Sequence, residues 1–265
     1  MIHIVFNIDE KYKELMKATA KSVLLHTKED VTFHVIGVDS IDMDGNFKFY
    51  PNPDLSCFNK ENLKDYFYFS KAAMYRLLIP VLIKEDRAIY LDCDTIVRHD
   101  IRELWESEVD LIGGCKDPQF NFRKKHTNTK GLYYINSGVL LFNLKNIRKQ
   151  MPDYVERLIQ IQNGNYNLEL IDQDIINHLF DEKITYLPLK WNVCANLCDD
   201  EFYTKADYKE RDNSRLDPAI VHYMGERKPD KYDDLPYAEE FDKAIGRYRA
   251  IPKIVYCGKF TIVRR

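Results

Sequence analysis

Glycine is scarce in this sequence, at 10 of 265 residues. That leaves little room for flexible linkers between domains. No glycine follows the first apolar run, where the chain reads Asp9-Glu10-Lys11-Tyr12-Lys13. A nucleotidyltransferase that builds sugar nucleotides would be expected to cradle its triphosphate there in a Gly-rich, basic loop, so this absence argues against one. No run approaches the ~20 apolar residues of a membrane span. An excess of one charge is also missing. Lys and Arg number 39 against 42 Asp and Glu, a net −3, which implies no nucleic acid or other bulk polyanion as partner. The six cysteines (Cys57, Cys93, Cys115, Cys194, Cys198 and Cys257) are scattered in a chain too long to need a disulfide framework. Cys194 and Cys198 lack the two further close ligands that a zinc site requires. The first strand starts at His3 with no signal-peptide core before it. Reduced thiols and no leader predict a cytoplasmic protein.

What is present is ordinary in bulk, with 45% hydrophobic and 31% charged residues. Aromatics reach 13%, including 18 Tyr, which suits ring-binding clefts and plain packing alike. The length allows one large α/β domain or two small ones. His3–Ile8 reads as a buried strand, Glu10–His26 as a helix and Thr32–Val38 as a second strand. Strand, helix, strand with short joins is a βαβ unit, so a mainly parallel sheet is expected. Residues 39–60 look loop-like. Ser70 caps a predicted helix to Ile83, which Pro80 should end or kink. Apolar runs at 88–91, 111–115 and 138–142 predict further strands, 146–162 one helix, and a shorter helix starts near Asp172. Lys183–Val193 and Ile220–Tyr223 close the list. No internal repeat or low-complexity tract is visible.

Ligands of open α/β sheets bind beyond the carboxyl ends of the strands. Asp9 and the Asp92-Cys93-Asp94 group both follow such ends. Three Asp-x-Asp pairs occur, and placement separates them. Asp42/Asp44 lies in a turn-rich loop, where carboxylates cap turns. Asp172/Asp174 opens an apolar helical run, where a cap or the helix dipole would account for them. Asp92/Asp94 ends a hydrophobic strand, where two charges are costly unless neutralised. Oxygen ligands there suit a hard ion, Mg²⁺ or Mn²⁺, able to bridge a diphosphate.

Beyond this point the sequence resembles glycosyltransferase family 8, a retaining group, from Ile2 to about Lys231. The motifs arrive in the family's order. They are Val5-Phe6-Asn7-Ile8-Asp9 with Tyr12, Tyr75-Arg76-Leu77, and Tyr90-Leu91-Asp92-Cys93-Asp94. Ile135-Asn136-Ser137-Gly138-Val139-Leu140, Asp172-Gln173-Asp174, and His222-Tyr223-Met224-Gly225 with Lys228-Pro229 follow. The resemblance implies a single GT-A, Rossmann-like α/β domain over 1–240, its mainly parallel sheet flanked by helices. It implies a UDP-sugar donor, a carbohydrate or glycolipid acceptor such as lipopolysaccharide, and transfer of glucose or galactose. Asp92, Asp94 and His222 would ligate Mn²⁺ or Mg²⁺, the imidazole favouring Mn²⁺. Asn7, Asp9 and Tyr12 would hold the base, and Lys71, Gly225 and Lys228 the phosphates. Arg76, Asn136, Ser137 and Asp172 would line the sugar pocket. Gln173 would face the anomeric carbon. An amide is a poor nucleophile but can steady positive charge, which favours front-face transfer over double displacement. Cys93 stands between the metal aspartates where the family more often has Ala or Ile, and would be oxidation-sensitive if exposed.

Residues 241–265 carry seven basic residues and one acidic, interleaved with Tyr248, Tyr256 and Phe260 among other apolar side chains. Two readings stand. One is peripheral contact with an anionic membrane surface at its inner face, as in related bacterial transferases. The other is a terminal segment packed on the domain. A non-catalytic carbohydrate-binding or scaffold protein with a transferase fold is the remaining alternative, against which the intact Asp92, Asp94, Asp172, Gln173 and His222 argue.

Overall fold

The computed structural model describes residues 1–58, 71–164, 166–195 and 208–247. Ser70, Cys198 and Cys257, the Lys71 side chain and residues 248–265 lie outside the described residues.

Seven strands form the central sheet: β1 (Ile2–Asn7), β2 (Val31–Ile36), β3 (Phe47–Tyr50), β4 (Ala88–Leu91), β6 (Ile112–Lys116), β7 (Ile135–Phe142) and β8 (Ile184–Tyr186). Their order is β3-β2-β1-β4-β7-β6-β8. All neighbours are parallel except β7, which runs antiparallel to both β4 and β6. A smaller sheet joins β5 (Thr95–Val97), β10 (Ile220–His222) and β9 (Val193–Cys194), in the order β5-β10-β9. The long apolar runs are explained by burial on both faces. Val5, Tyr90 and Leu140 pack in one cluster, while Ile4, Phe6, Ile89, Leu91, Val139 and Leu141 pack in the other.

The local expectations need four corrections. Phe47–Tyr50 is an edge strand inside the stretch read as loop, held by Phe47 stacking on Phe33 at 5.1 Å. The predicted helix before Ile83 is a 3₁₀ segment, Lys71–Leu78, followed by a short helix, Ile79–Leu82. Pro80 neither ends nor kinks it; it sits in the first turn of that helix, where its missing N–H costs nothing. The single helix predicted over 146–162 is two, Leu144–Gln150 and Tyr154–Asn163. Pro152 forces Met151 out of helical geometry, to φ −130°, ψ 62°. Finally, only Ile184–Tyr186 of the strand expected over 183–193 joins the large sheet; Leu189–Trp191 is a 3₁₀ turn.

Two of these connections build the functional end of the sheet. Because β7 is antiparallel to β4, its amino end lies beside the carboxyl end of β4. The Asp92 N–H donates to the Gly138 carbonyl at 2.8 Å. Because β10 pairs with β5, His222 lies opposite Thr95, and Tyr223 N–H donates to the Asp94 carbonyl at 3.0 Å. The helix Lys13–His26 braces the turn between β4 and β5. Its Thr19 hydroxyl lies 2.9 Å from the Cys93 carbonyl and 2.7 Å from that of Thr95, and its Ser22 hydroxyl accepts from Val97 N–H.

Candidate functional site

The two sheets meet around Asp92, Asp94 and His222, whose ligand atoms lie within 4.8 Å of one another. His222 Nε2 stands 3.5 Å from Asp92 Oδ2 and 3.3 Å from Asp94 Oδ1. Its Nδ1 lies 2.9 Å from Asn192 Oδ1, so Nδ1 carries a proton and Nε2 points at the carboxylates. Nε2 is then either a charged donor to them or, with a divalent ion in the proton's place, a ligand. Asp94 Oδ1 is buried and, apart from that imidazole, meets no hydrogen-bond donor among the described residues. Its other oxygen accepts from Lys228 Nζ, which also donates to the Tyr223 carbonyl at 2.8 Å. Burial works against ionisation of Asp94, but His222 and Lys228 outweigh it and hold the carboxyl well below its usual range. A buried carboxylate oxygen that meets only an imidazole, beside a second carboxylate, fits a divalent ion. The mixed oxygen and nitrogen set suits Mn²⁺ better than Mg²⁺.

Arg76 ties this group to the next. Its guanidinium is buried, 2.9 Å from Asp92 Oδ1 and 3.1 Å from Asp172 Oδ2. It donates to the Ser137 hydroxyl and carbonyl at 2.8 and 2.9 Å, and stacks 4.7 Å from the Tyr90 ring centre. Burial raises the Asp172 carboxyl above its usual range while Arg76 pulls it down. Gln173 is fixed at both ends. Its Oε1 accepts from Ser137 N–H at 2.9 Å and Asn136 Nδ2 at 3.2 Å, and its Nε2 donates to Asp117 Oδ2 at 3.2 Å. The Asp172/Asp174 pair therefore separates: Leu170 holds the cap position expected of the aspartates, and Asp174 accepts from Leu170 N–H and Tyr134 Oη, a structural role.

Asn7, Asp9 and Tyr12 gather where β1 ends. Asn7 donates to the Ala72 carbonyl at 2.6 Å, and its Oδ1 is buried with no hydrogen-bond partner among the described residues. Asp9 caps the 3₁₀ turn Glu10–Tyr12 by accepting from Lys11 N–H at 3.0 Å. Tyr12 is half-buried, and burial raises its phenol above the ordinary range. Gly225 has φ +76°, and a Cβ there would meet nothing within 4 Å. Its backbone conformation is the one a glycine supplies, facing open space. Cys93 is half-buried. Burial, then Asp94 and Asp92, push it well above its ordinary value, which disfavours the reactive thiolate.

Four residues that sequence reasoning did not assign shape the site. Tyr90, two before Asp92 on the same strand face, donates to Asp92 Oδ1. Asp117 follows β6 and joins Asn136 to Gln173, so the strand-end rule points to it. Asn192 orients His222 and donates to Asn136 Oδ1 at 2.8 Å, and no periodicity signals it. Gly138 appeared in a motif without a role. A Cβ there would lie 2.1 Å from His222 Cε1 and 2.9 Å from Asp92 Oδ2. Gly138→Ala is therefore expected to push two candidate ligands apart. Mn²⁺ affinity, followed by calorimetry, should fall at least about tenfold, and stability by about 1–3 kcal/mol in denaturant melts.

A family model for glycosyl transferase family 8 matches residues 3–233. General stress protein A of Bacillus subtilis is 32% identical over 188 residues, 66% of this chain and 64% of that protein. The glycosyltransferase GlyB of Streptococcus pneumoniae is 26% identical over 243 residues, 84% of this chain and 56% of that protein. The chain thus spans less than two thirds of the length of these relatives. The crystal structure of the galactosyltransferase LgtC in complex with donor and acceptor sugar analogues superposes with a TM-score of 0.72. It is 25% identical, covering 96% of this chain and 98% of that one. Its fold is the GT-A architecture seen here.

Proposed function

Because the chain belongs to glycosyl transferase family 8, we propose that it is a retaining glycosyltransferase. It moves glucose or galactose from a UDP-sugar to a glycan or glycolipid acceptor and depends on Mn²⁺ or Mg²⁺. The observation that carries this reading is the Asp92–Asp94–His222 cluster, with an Asp94 oxygen that meets only the imidazole among the described residues. LgtC, the neighbour solved with donor and acceptor sugar analogues, supports the donor class.

The ion, when bound, supplies Lewis-acid neutralisation of the diphosphate leaving group. The residues do the rest. Asp9 accepts from the base N–H, Tyr12 stacks on the base, and Asn7 lies beside them. Lys228 exchanges its partner Asp94 for a phosphate oxygen, with Gly225 allowing close backbone approach and Lys71 adding charge. Asn136, Ser137 and Asp172 hold sugar hydroxyls, and Arg76 fixes Asp92 and Asp172 against each other. Gln173, held by Ser137 and Asp117, presents an amide to the anomeric carbon. That chemistry suits front-face attack, in which the departing diphosphate takes the acceptor proton.

The division into a transferase domain, 1–240, and a basic, aromatic segment, 241–265, belongs to the same proposal. Phe241 and Ala244 of the helix Ala238–Ala244 are buried with Leu15 and Ala18 of the first helix. Membrane contact would therefore fall to residues beyond that helix. No helix among the described residues is long and apolar enough to cross a membrane.

A donor panel tests the activity. With Mn²⁺, UDP release is expected from UDP-glucose or UDP-galactose and to be at least tenfold slower from their N-acetyl forms. Binding of UDP with no release from any donor would instead favour the non-catalytic reading.

A further inference from the structure

At the opposite end of β1 from Asp9, a second group of ligand-type side chains has no part in the transfer chemistry. Val5 and His34 are register partners of β1 and β2, and His3 lies two residues before Val5. Alternation puts the two histidines on one face of the sheet. Glu85 reaches them from the connection that leads into β4. His3 Nδ1 is 3.2 Å from His34 Nε2, and His34 Nε2 is 3.8 Å from Glu85 Oε1. One donor atom from each of the three lies within 4.8 Å of the others.

The spacing is that of ligands. Two nitrogens bound at about 2.0–2.1 Å to a tetrahedral zinc stand roughly 3.3–3.4 Å apart. His34 is fully buried, and its Nδ1 lies 2.9 Å from Tyr50 Oη. That phenol oxygen can accept the Nδ1 proton and leave Nε2 with its lone pair toward His3, the outer partner that metal-bound imidazoles ordinarily have. Glu85 Oε2 is buried without a hydrogen-bond partner among the described residues. A plain His3–His34 hydrogen bond accounts for the 3.2 Å contact but leaves that oxygen unmet. Lys48 Nζ, 2.6 Å from Glu85 Oε1, is the competing cation, and its side chain is half exposed and free to turn toward water.

We propose that His3, His34 and Glu85 form a second divalent-metal site, separate from the Asp92–Asp94–His222 cluster, for a borderline ion of the Zn²⁺ class. Two imidazoles and one carboxylate prefer such an ion over Mg²⁺. Bound there, it fastens β1 and β2 to the segment entering β4. The inference does not depend on the transferase reading.

The test uses the full chain without a histidine tag, in an Asp94→Asn background that disables the other cluster. Zn²⁺ is titrated by calorimetry, and Co²⁺ by the strong visible absorption of its four-coordinate form. The proposal expects one Zn²⁺ per chain and a raised thermal midpoint. His3→Gln, at a half-buried position, should weaken binding at least about tenfold and bleach the cobalt spectrum. Glu85→Gln should do the same, which guards against misfolding of either variant. No Zn²⁺ bound in the Asp94→Asn protein, or binding that neither substitution weakens, overturns it.

Discussion

Asp94→Asn is expected to abolish Mn²⁺-dependent UDP binding and to lower transfer by about 10³-fold or more. The substitution keeps the shape of the side chain and removes its charge. Asp94 meets the Lys228 ammonium through one oxygen and the His222 ring through the other, which has no further partner among the described residues. An amide cannot neutralise a divalent ion or hold Lys228 by charge. Losing several kcal/mol of transition-state stabilisation corresponds to about three orders of magnitude. The fold should survive, because the turn carrying Asp94 is held by backbone bonds to Gly138 and Tyr223 and by Thr19. UDP calorimetry, turnover and a thermal melt on the same preparation check this. Loss of the melt along with activity would mean that Asp94 is mainly structural.

Arg76→Met should produce the largest loss of stability, about 3–5 kcal/mol, read as a lower denaturant midpoint. The guanidinium is buried between Asp92 and Asp172. Removing one partner of a buried ion pair leaves uncompensated charge, which costs more than the pair itself contributes. The sign of the pH dependence follows. Burial already raises the Asp172 carboxyl, and Arg76 is the main influence lowering it. Without Arg76, its folded pKa rises further above the unfolded value near 3.9. The variant fold then keeps a proton that the unfolded chain releases. The stability gap between variant and wild type should therefore widen as pH rises above about 4, and narrow toward acid. A gap that widens on acidification contradicts the role given to Arg76.

Part of the candidate site follows from the residues themselves and more from the family resemblance, for reasons that vary by element. Asp92 and Asp94 were legible because an apolar strand stops there abruptly, and buried strands must end in whatever lies at the cleft. Arg76, Asn136, Gln173 and His222 came from the order of motifs, since their spacing in sequence does not reveal that they meet. The meeting depends on β7 running antiparallel and on three-residue β10 pairing with β5. Strands that short carry no periodicity. Asn192 acts through side-chain hydrogen bonds to other side chains, which no pattern encodes, whereas Asp117 stands directly past the end of β6, where the strand-end rule applies. Helix boundaries failed at prolines for a related reason. Pro80 was expected to end or kink a helix but sits in a first helical turn, while Pro152, given no weight inside the helix expected over 146–162, stands between two helices. The edge strand β3 was missed because it lies in a stretch rich in turn residues and gains its order from Phe33.

The central claim is that Asp92, Asp94 and His222 hold a divalent ion that bridges the chain to a nucleoside diphosphate. Calorimetric titration of UDP into the full chain, once with Mn²⁺ and once with EDTA, tests it most directly. One UDP per chain should bind with Mn²⁺, at an affinity at least a hundredfold above that in EDTA. Equal affinity in the two titrations would contradict the account.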